Sequence, residues 1–143
     1  MMKHNLERFI KAQAGVYETA LEEMRRGRKE SHWIWYIFPQ LKGLGFSETA
    51  QYYGIDGMAE AKAYLNHETL RKRLIEISEA LLALPTDDAL AVMGSPDNLK
   101  LCSSMTLFAM ADKGCEVFRK VLDKFYGGQM DKRTLELLEG EEY

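Results

Sequence analysis

Cysteine is scarce in this chain: Cys102 and Cys115 are the only two, too far apart for a CxxC motif and each set in an apolar segment. They read as reduced core thiols, because free cysteine packs as a small hydrophobe, so neither a disulfide nor a zinc framework is expected. The three histidines, His4, His32 and His67, are scattered, which argues against a His-rich metal site. No cofactor is implied, since HExxH, GxSxG and Walker patterns are all missing. Gly43-Leu44-Gly45 begins like a dinucleotide fingerprint but lacks the third glycine. No apolar run approaches the ~20 residues that span a bilayer, so no membrane association is expected. A dominant charge of one sign is also lacking. The net charge is −3 and the isoelectric point is near 5.7, which gives no global pull toward nucleic acid or anionic membrane. The opening Met1-Met2-Lys3-His4-Asn5 has no apolar stretch of the secretory kind, and a cytoplasmic location is expected.

What is present is an ordinary globular composition, 46% hydrophobic and 29% charged over 143 residues. A chain of this length can bury most of the apolar surface it exposes when unfolded, and no repeat or composition break divides 1–143 into parts. Apolar residues at Leu6, Phe9, Ile10, Tyr17, Ala20, Leu21 and Met24 follow the three-and-four spacing of an amphipathic helix, interrupted by Gln13. Asn5 is placed to cap it, Gly15 to bend or split it and Gly27 to end it. Further helices are predicted from Ser47 to Tyr53, from Met58 to Leu65 and along the stripe Leu70, Leu74, Ile77, Leu81 and Leu84. A turn or two from Thr86 or Asp87 to Met93 follows. Adjacent Asp87-Asp88 reads as that helix's start rather than an acid/base couple. Ser95-Pro96-Asp97 has the form of a helix start, with Ser95 as cap and Pro96 at the first helical position, running to about Ala111. Phe118 to Phe125 and a short segment capped by Asp131 complete the set. The expected fold is all-α, a single compact domain of about seven or eight helices in a non-repeat array, with no βαβ alternation.

Two segments mix polar groups into apolar frames. The first follows the basic stretch Arg25-Arg26-Gly27-Arg28-Lys29 and reads Ser31-His32-Trp33-Ile34-Trp35-Tyr36-Ile37-Phe38-Pro39-Gln40. Periodicity leaves buried strand and buried helix open for this aromatic run. It is either a core-forming element behind a solvated charged turn or a stacking surface with cations, fit for a planar anionic ligand. Backbone binding to nucleic acid is the weaker version, given the acidic balance. The second segment is Leu99-Lys100-Leu101-Cys102-Ser103-Ser104-Met105-Thr106-Leu107-Phe108. It is apolar almost all round and therefore central, yet Lys100, Ser103 and Ser104 share one arc through their three-and-four spacing. They would hold a carboxylate or phosphate near the helix N-terminus, or the serines bond back to carbonyls while Lys100 snorkels to solvent. Arg73, in Arg71-Lys72-Arg73, is a further candidate for forked anion recognition, set against a plain charged helix face.

These residues resemble one bacterial family. Asn5-Leu6-Glu7-Arg8-Phe9, Gly27-Arg28-Lys29 leading into the aromatic run, and the block from Lys100 to Phe108 are similar to the domain-of-unknown-function family eighteen-ten along essentially the whole chain. The resemblance implies a mostly helical single domain, which would make the aromatic run helical, and it implies no established activity. The label calpastatin sometimes attached to members is rejected on physical grounds, because calpain-inhibitor segments are extended and core-poor whereas this chain is built to pack.

Two functions fit these residues. In the first, a polar cleft between segment 31–40 and helix 96–111 binds a small anionic or nucleotide-like ligand. Arg28, His32, Trp33, Gln40, Arg73, Lys100, Ser103 and Ser104 are its candidate residues. His32 is then the acid/base candidate for any reaction, and Lys100 the group that neutralises developing negative charge. In the second, the chain is a non-enzymatic protein-interaction module whose aromatic block is structural core; the partner is unspecified. A ligand site requires the two segments to meet at a concave, solvent-connected surface, whereas an interaction module shows an exposed apolar patch.

Overall fold

The computed structural model describes residues 5–141 and contains ten α-helices among them, with no strands. In chain order these are α1 (Glu7–Gln13), α2 (Tyr17–Arg26), α3 (Ile34–Ile37), α4 (Glu48–Tyr53), α5 (Gly57–Asn66), α6 (Glu68–Leu82), α7 (Ala89–Met93), α8 (Asp97–Ala111), α9 (Val117–Tyr126) and α10 (Lys132–Glu139). The expected seven or eight becomes ten for two local reasons. Gly15 adopts φ +79°, a left-handed conformation that ends α1 and separates it from α2. The aromatic run closes a single helical turn, α3, before Pro39 halts it.

Four of the ten helix starts carry a side-chain cap, the His67 ring accepting from Leu70 at α6 being one. Ser47 accepts from Ala50, Asp88 from Ala91 and Asp131 from Thr134, each satisfying an otherwise orphaned amide. The expected caps Asn5 and Ser95 do not act in this way. Leu6 and Pro96 occupy the positions before α1 and α8, with no side-chain cap bond. Gly94 O instead accepts the Asn98 amide and Pro96 O the amides of Leu99 and Lys100, so backbone acceptors take over the start of α8.

Helix α8 is the centre of the molecule, packed against α3, α5, α7, α9 and α10. From Leu101 to Ala109 every residue except Cys102 is buried, as the all-round apolar wheel predicts. The stripe of α6 packs on α2, α5 and α9 and buries Leu70, Leu74, Ile77 and Leu81. Each such side chain contributes roughly 1.5–3 kcal/mol by leaving water. Gln13, the polar interruption in the first stripe, is buried and satisfied on both ends. Its amide nitrogen donates to Tyr36 O and the Tyr64 hydroxyl, and its oxygen accepts from Arg73. One parallel bridge joins Leu41 to Ile55.

Candidate functional site

The site begins at the end of α2. Glu23 is only 2% exposed, and its carboxylate accepts from the amides of Glu30 and Ser31, the Ser31 hydroxyl and the Trp33 indole at 2.6–3.0 Å. Burial pushes this carboxyl up, but the hydrogen bonds from Ser31, Glu30 and Trp33 outweigh it and hold the group down at about 2. One anion thereby folds the 28–33 turn back onto α2 and seats Trp33 in the core, fully buried. The Gly27 turn, at φ +81°, lets the chain reverse there.

That turn delivers Lys29 to α8. Its ammonium lies 2.7 Å from Asp97 Oδ2, with the Lys29 side chain 6% exposed, donates to Ser31 O at 2.6 Å and sits 4.8 Å from the Trp33 ring. Asp97 also faces Lys100, but loosely, at 3.9 Å. The Lys100 ammonium lies 5.2 Å over the ring of Trp35, within cation–π range. The segment 31–40 and the start of α8 therefore meet, and Lys29 and Lys100 share the Asp97 carboxylate. Lys29 is spent on hydrogen bonds, whereas Lys100 has none among the described residues and keeps 26% of its side chain exposed.

The remaining sequence candidates divide. Gln40 is half-buried and lines a cavity of about 10 Å³ with Trp35, Ala50, Tyr53 and Gly54. Ser103 is buried and donates back to Leu99 O at 3.2 Å. The Ser104 hydroxyl and, nearly two turns earlier, Asn98 Oδ1 are buried with no hydrogen-bond partner among the described residues. His32 and Arg28 are exposed beside the cluster and make no side-chain hydrogen bonds among the described residues. Arg73 lies apart: it donates to Gln13 and stacks 5.4 Å from the Tyr17 ring on the α2–α6 side. Tyr17 in turn donates to Arg73 O and to Glu76, and burial followed by Glu76 pushes its hydroxyl pKa up.

Sequence reasoning missed Glu23, Lys29, Trp35 and Asp97 as site residues. For Glu23 the signal was an acid beside the apolar stripe of α2, one residue before Met24. For the Lys29–Asp97 pair no local pattern exists, because tertiary folding alone brings the two together. The described residues include no group of three or more His, Cys, Asp or Glu that could hold a metal ion. No helix among them is long and apolar enough to cross a membrane. A second concavity, about 650 Å³, lies between α5 and α10. It is lined by Leu41, Lys42, Ile55, Met58 and Lys62, with Glu141 accepting the Met58 amide at its edge.

A family model described as "Protein of unknown function (DUF1810)" matches residues 3–138. The chain is similar in structure to the conserved hypothetical protein Rv1873 from Mycobacterium tuberculosis, with a TM-score of 0.93 and 48% identity over 94% of this chain and 96% of that one. No curated protein matches the chain.

Proposed function

We propose that this chain, which belongs to the DUF1810 family of proteins of unknown function, is a cytoplasmic bacterial ligand-binding domain for a small anionic or nucleotide-like molecule. The ligand lies where segment 31–40 meets the N-terminal turn of α8. Lys100 takes its anionic group, the Trp35 ring stacks on its planar part, and the Gln40 amide reads its edge. Glu23, Lys29, Asp97 and Trp33 hold this arrangement from beneath, and His32 stands at the rim as the proton-transfer group of any reaction. The observation that carries the reading is the Lys100 ammonium poised 5.2 Å over Trp35 with its counter-ion at 3.9 Å. Lys29, by contrast, is held by direct bonds to Asp97 and to Ser31 O.

Thermal-shift titration with AMP, sugar phosphates and small carboxylates tests this. A ligand at a hundred times its dissociation constant raises stability by about 2.7 kcal/mol. The shift should vanish in Lys100→Ala and Trp35→Ala, with Lys100→Ala keeping the wild-type melting point without ligand and Trp35→Ala, which removes a side chain packed against the core, folded but melting lower. A second reading, a protein-interaction module, is favoured by Leu90 and Leu99, 55% and 63% exposed on the neighbouring helices α7 and α8. It predicts that Leu99→Ser abolishes a partner complex and that no small molecule shifts the melting point.

A further inference from the structure

Helix α5 begins without the cap that its own sequence supplies. Asp56, a favoured capping residue, stands just before Gly57, but its side chain makes no cap bond. The Met58 amide in the first turn donates instead to both carboxylate oxygens of Glu141, at 2.8 and 3.2 Å, from 83 residues further along the chain. Gly57 leaves the space that this carboxylate uses. It holds φ +89°, and a Cβ there would meet Glu141 Oε1 at 2.7 Å.

These groups line the cavity of about 650 Å³ between α5 and α10, a size usual for small-ligand sites. Its lining is of two kinds. Met58 and Leu137, both half-buried, are apolar, and the buried Leu41 joins them. Lys42 and Lys62 are exposed cations with no ion pair or side-chain hydrogen bond among the described residues. Lys62 follows Met58 by one helical turn, which places the two on one face of α5. Lys42 is fixed at its backbone by a bond to Ile55 O at 2.8 Å. Besides Glu141, Asp56 is the one acid in the lining.

Glu141 itself is held lightly. It follows Gly140, the residue that ends α10, and its own amide makes one bond, to Leu138 O at 3.2 Å. Chain and helix ends open at small cost relative to the core, so the carboxylate can leave its place while the packed helices stay intact.

We infer that the cleft between α5 and α10 is a binding site for a small amphiphilic monocarboxylate, and that Glu141 is its resident competitor. The Glu141 carboxylate stands in for the head of the ligand, on the Met58 amide at the positive end of α5. Once Glu141 withdraws, two lysines and a single acid remain in the lining, a balance that favours an incoming anion. A short aliphatic tail then lies against Met58 and Leu137 and leaves water. This site shares no residue with the one at the α3–α8 junction.

Titration of hexanoate into the isotope-labelled full chain, followed at the backbone amide signals by NMR, tests the inference. Hexanoate should move the Met58 and Lys62 signals saturably, and bind severalfold more tightly to Glu141→Ala than to wild type. Lys62→Glu, at an exposed position, should weaken binding severalfold and keep the wild-type melting point. Acetate, which lacks the tail, and hexanol, which lacks the carboxylate, should each bind severalfold more weakly than hexanoate. A Met58 signal that hexanoate leaves in place in Glu141→Ala would overturn the site. Equal affinity in Glu141→Ala and wild type would overturn the competitor, and unchanged affinity in Lys62→Glu the part of the lysine. Acetate or hexanol binding as tightly as hexanoate would overturn the amphiphilic ligand. The signals of Trp35 and Lys100 should stay still. If they move along the same saturation curve, hexanoate binds at the α3–α8 junction and not in this cleft.

Discussion

Two buried ion pairs in this molecule are built from similar parts and end in different states. At the α1–α5 corner, Arg8 meets Glu60 through both guanidinium nitrogens at 3.0 and 3.1 Å, with side chains 8% and 3% exposed. Its other donors go to Asn5 O, Tyr52 O and Gly54 O, so all five are used. At the α3–α8 corner, Asp97 serves two lysines, Lys29 closely and Lys100 at arm's length. The first corner is closed chemistry, a fork fully satisfied by fixed acceptors. The second retains a cation whose charge is only partly answered, set over an aromatic face. The difference separates a cluster that holds the fold from one that can also hold something else.

The sharpest way to break the comparison is to remove a partner from each corner. Arg8→Ala removes the forked cation from the buried Glu60 carboxylate and leaves the carbonyls of Asn5, Tyr52 and Gly54 without that donor, and should lower unfolding free energy by about 3–5 kcal/mol in urea titration. Glu23→Gln should cost roughly 2–3 kcal/mol, since a neutral amide replaces a carboxylate that organises four donors. The same carboxylate gives an acid signature. Its folded pKa of about 2 lies below the ordinary 4.5, so its contribution is full above about pH 4.5 and is lost as pH falls toward 2. Wild type should lose on the order of 3 kcal/mol through this group across that window, and Glu23→Gln should show a flatter acid limb by chemical denaturation. Lys29→Met should cost about 1–3 kcal/mol, because Asp97 keeps only its distant partner. Lys100→Met should change stability by less than about 0.5 kcal/mol, in keeping with a loosely held, partly exposed ion pair.

The sequence made some of this visible and hid the rest for identifiable reasons. Caps at Ser47, Asp88 and Asp131 depend on a residue and its neighbour three positions on, so local reading finds them; Asp88, rather than Thr86 or Asp87, is the one that acts. The split at Gly15 and the central place of α8 follow equally from local chemistry. The aromatic run resisted, because one helical turn is too short for periodicity to show which tryptophan faces the core. Trp33, expected at the ligand, is instead buried on Glu23, and Trp35 carries the lysine. Arg73 suits anion recognition by residue type, but α6 carries it to Gln13 and Tyr17. Pairings such as Lys29 with Asp97 or Arg8 with Glu60 join distant segments, and only the packed fold specifies them.

The most direct test of the account is calorimetric titration of AMP into wild type and Lys100→Ala, with the unfolding free energy of both measured alongside. Saturable binding to wild type is expected, with at least about tenfold weaker binding to the variant, equivalent to about 1.4 kcal/mol, and equal stability of the two proteins. Equal affinity in both proteins, or a loss of stability in Lys100→Ala as large as that in Arg8→Ala, would contradict it, because Lys100 would then belong to the scaffold.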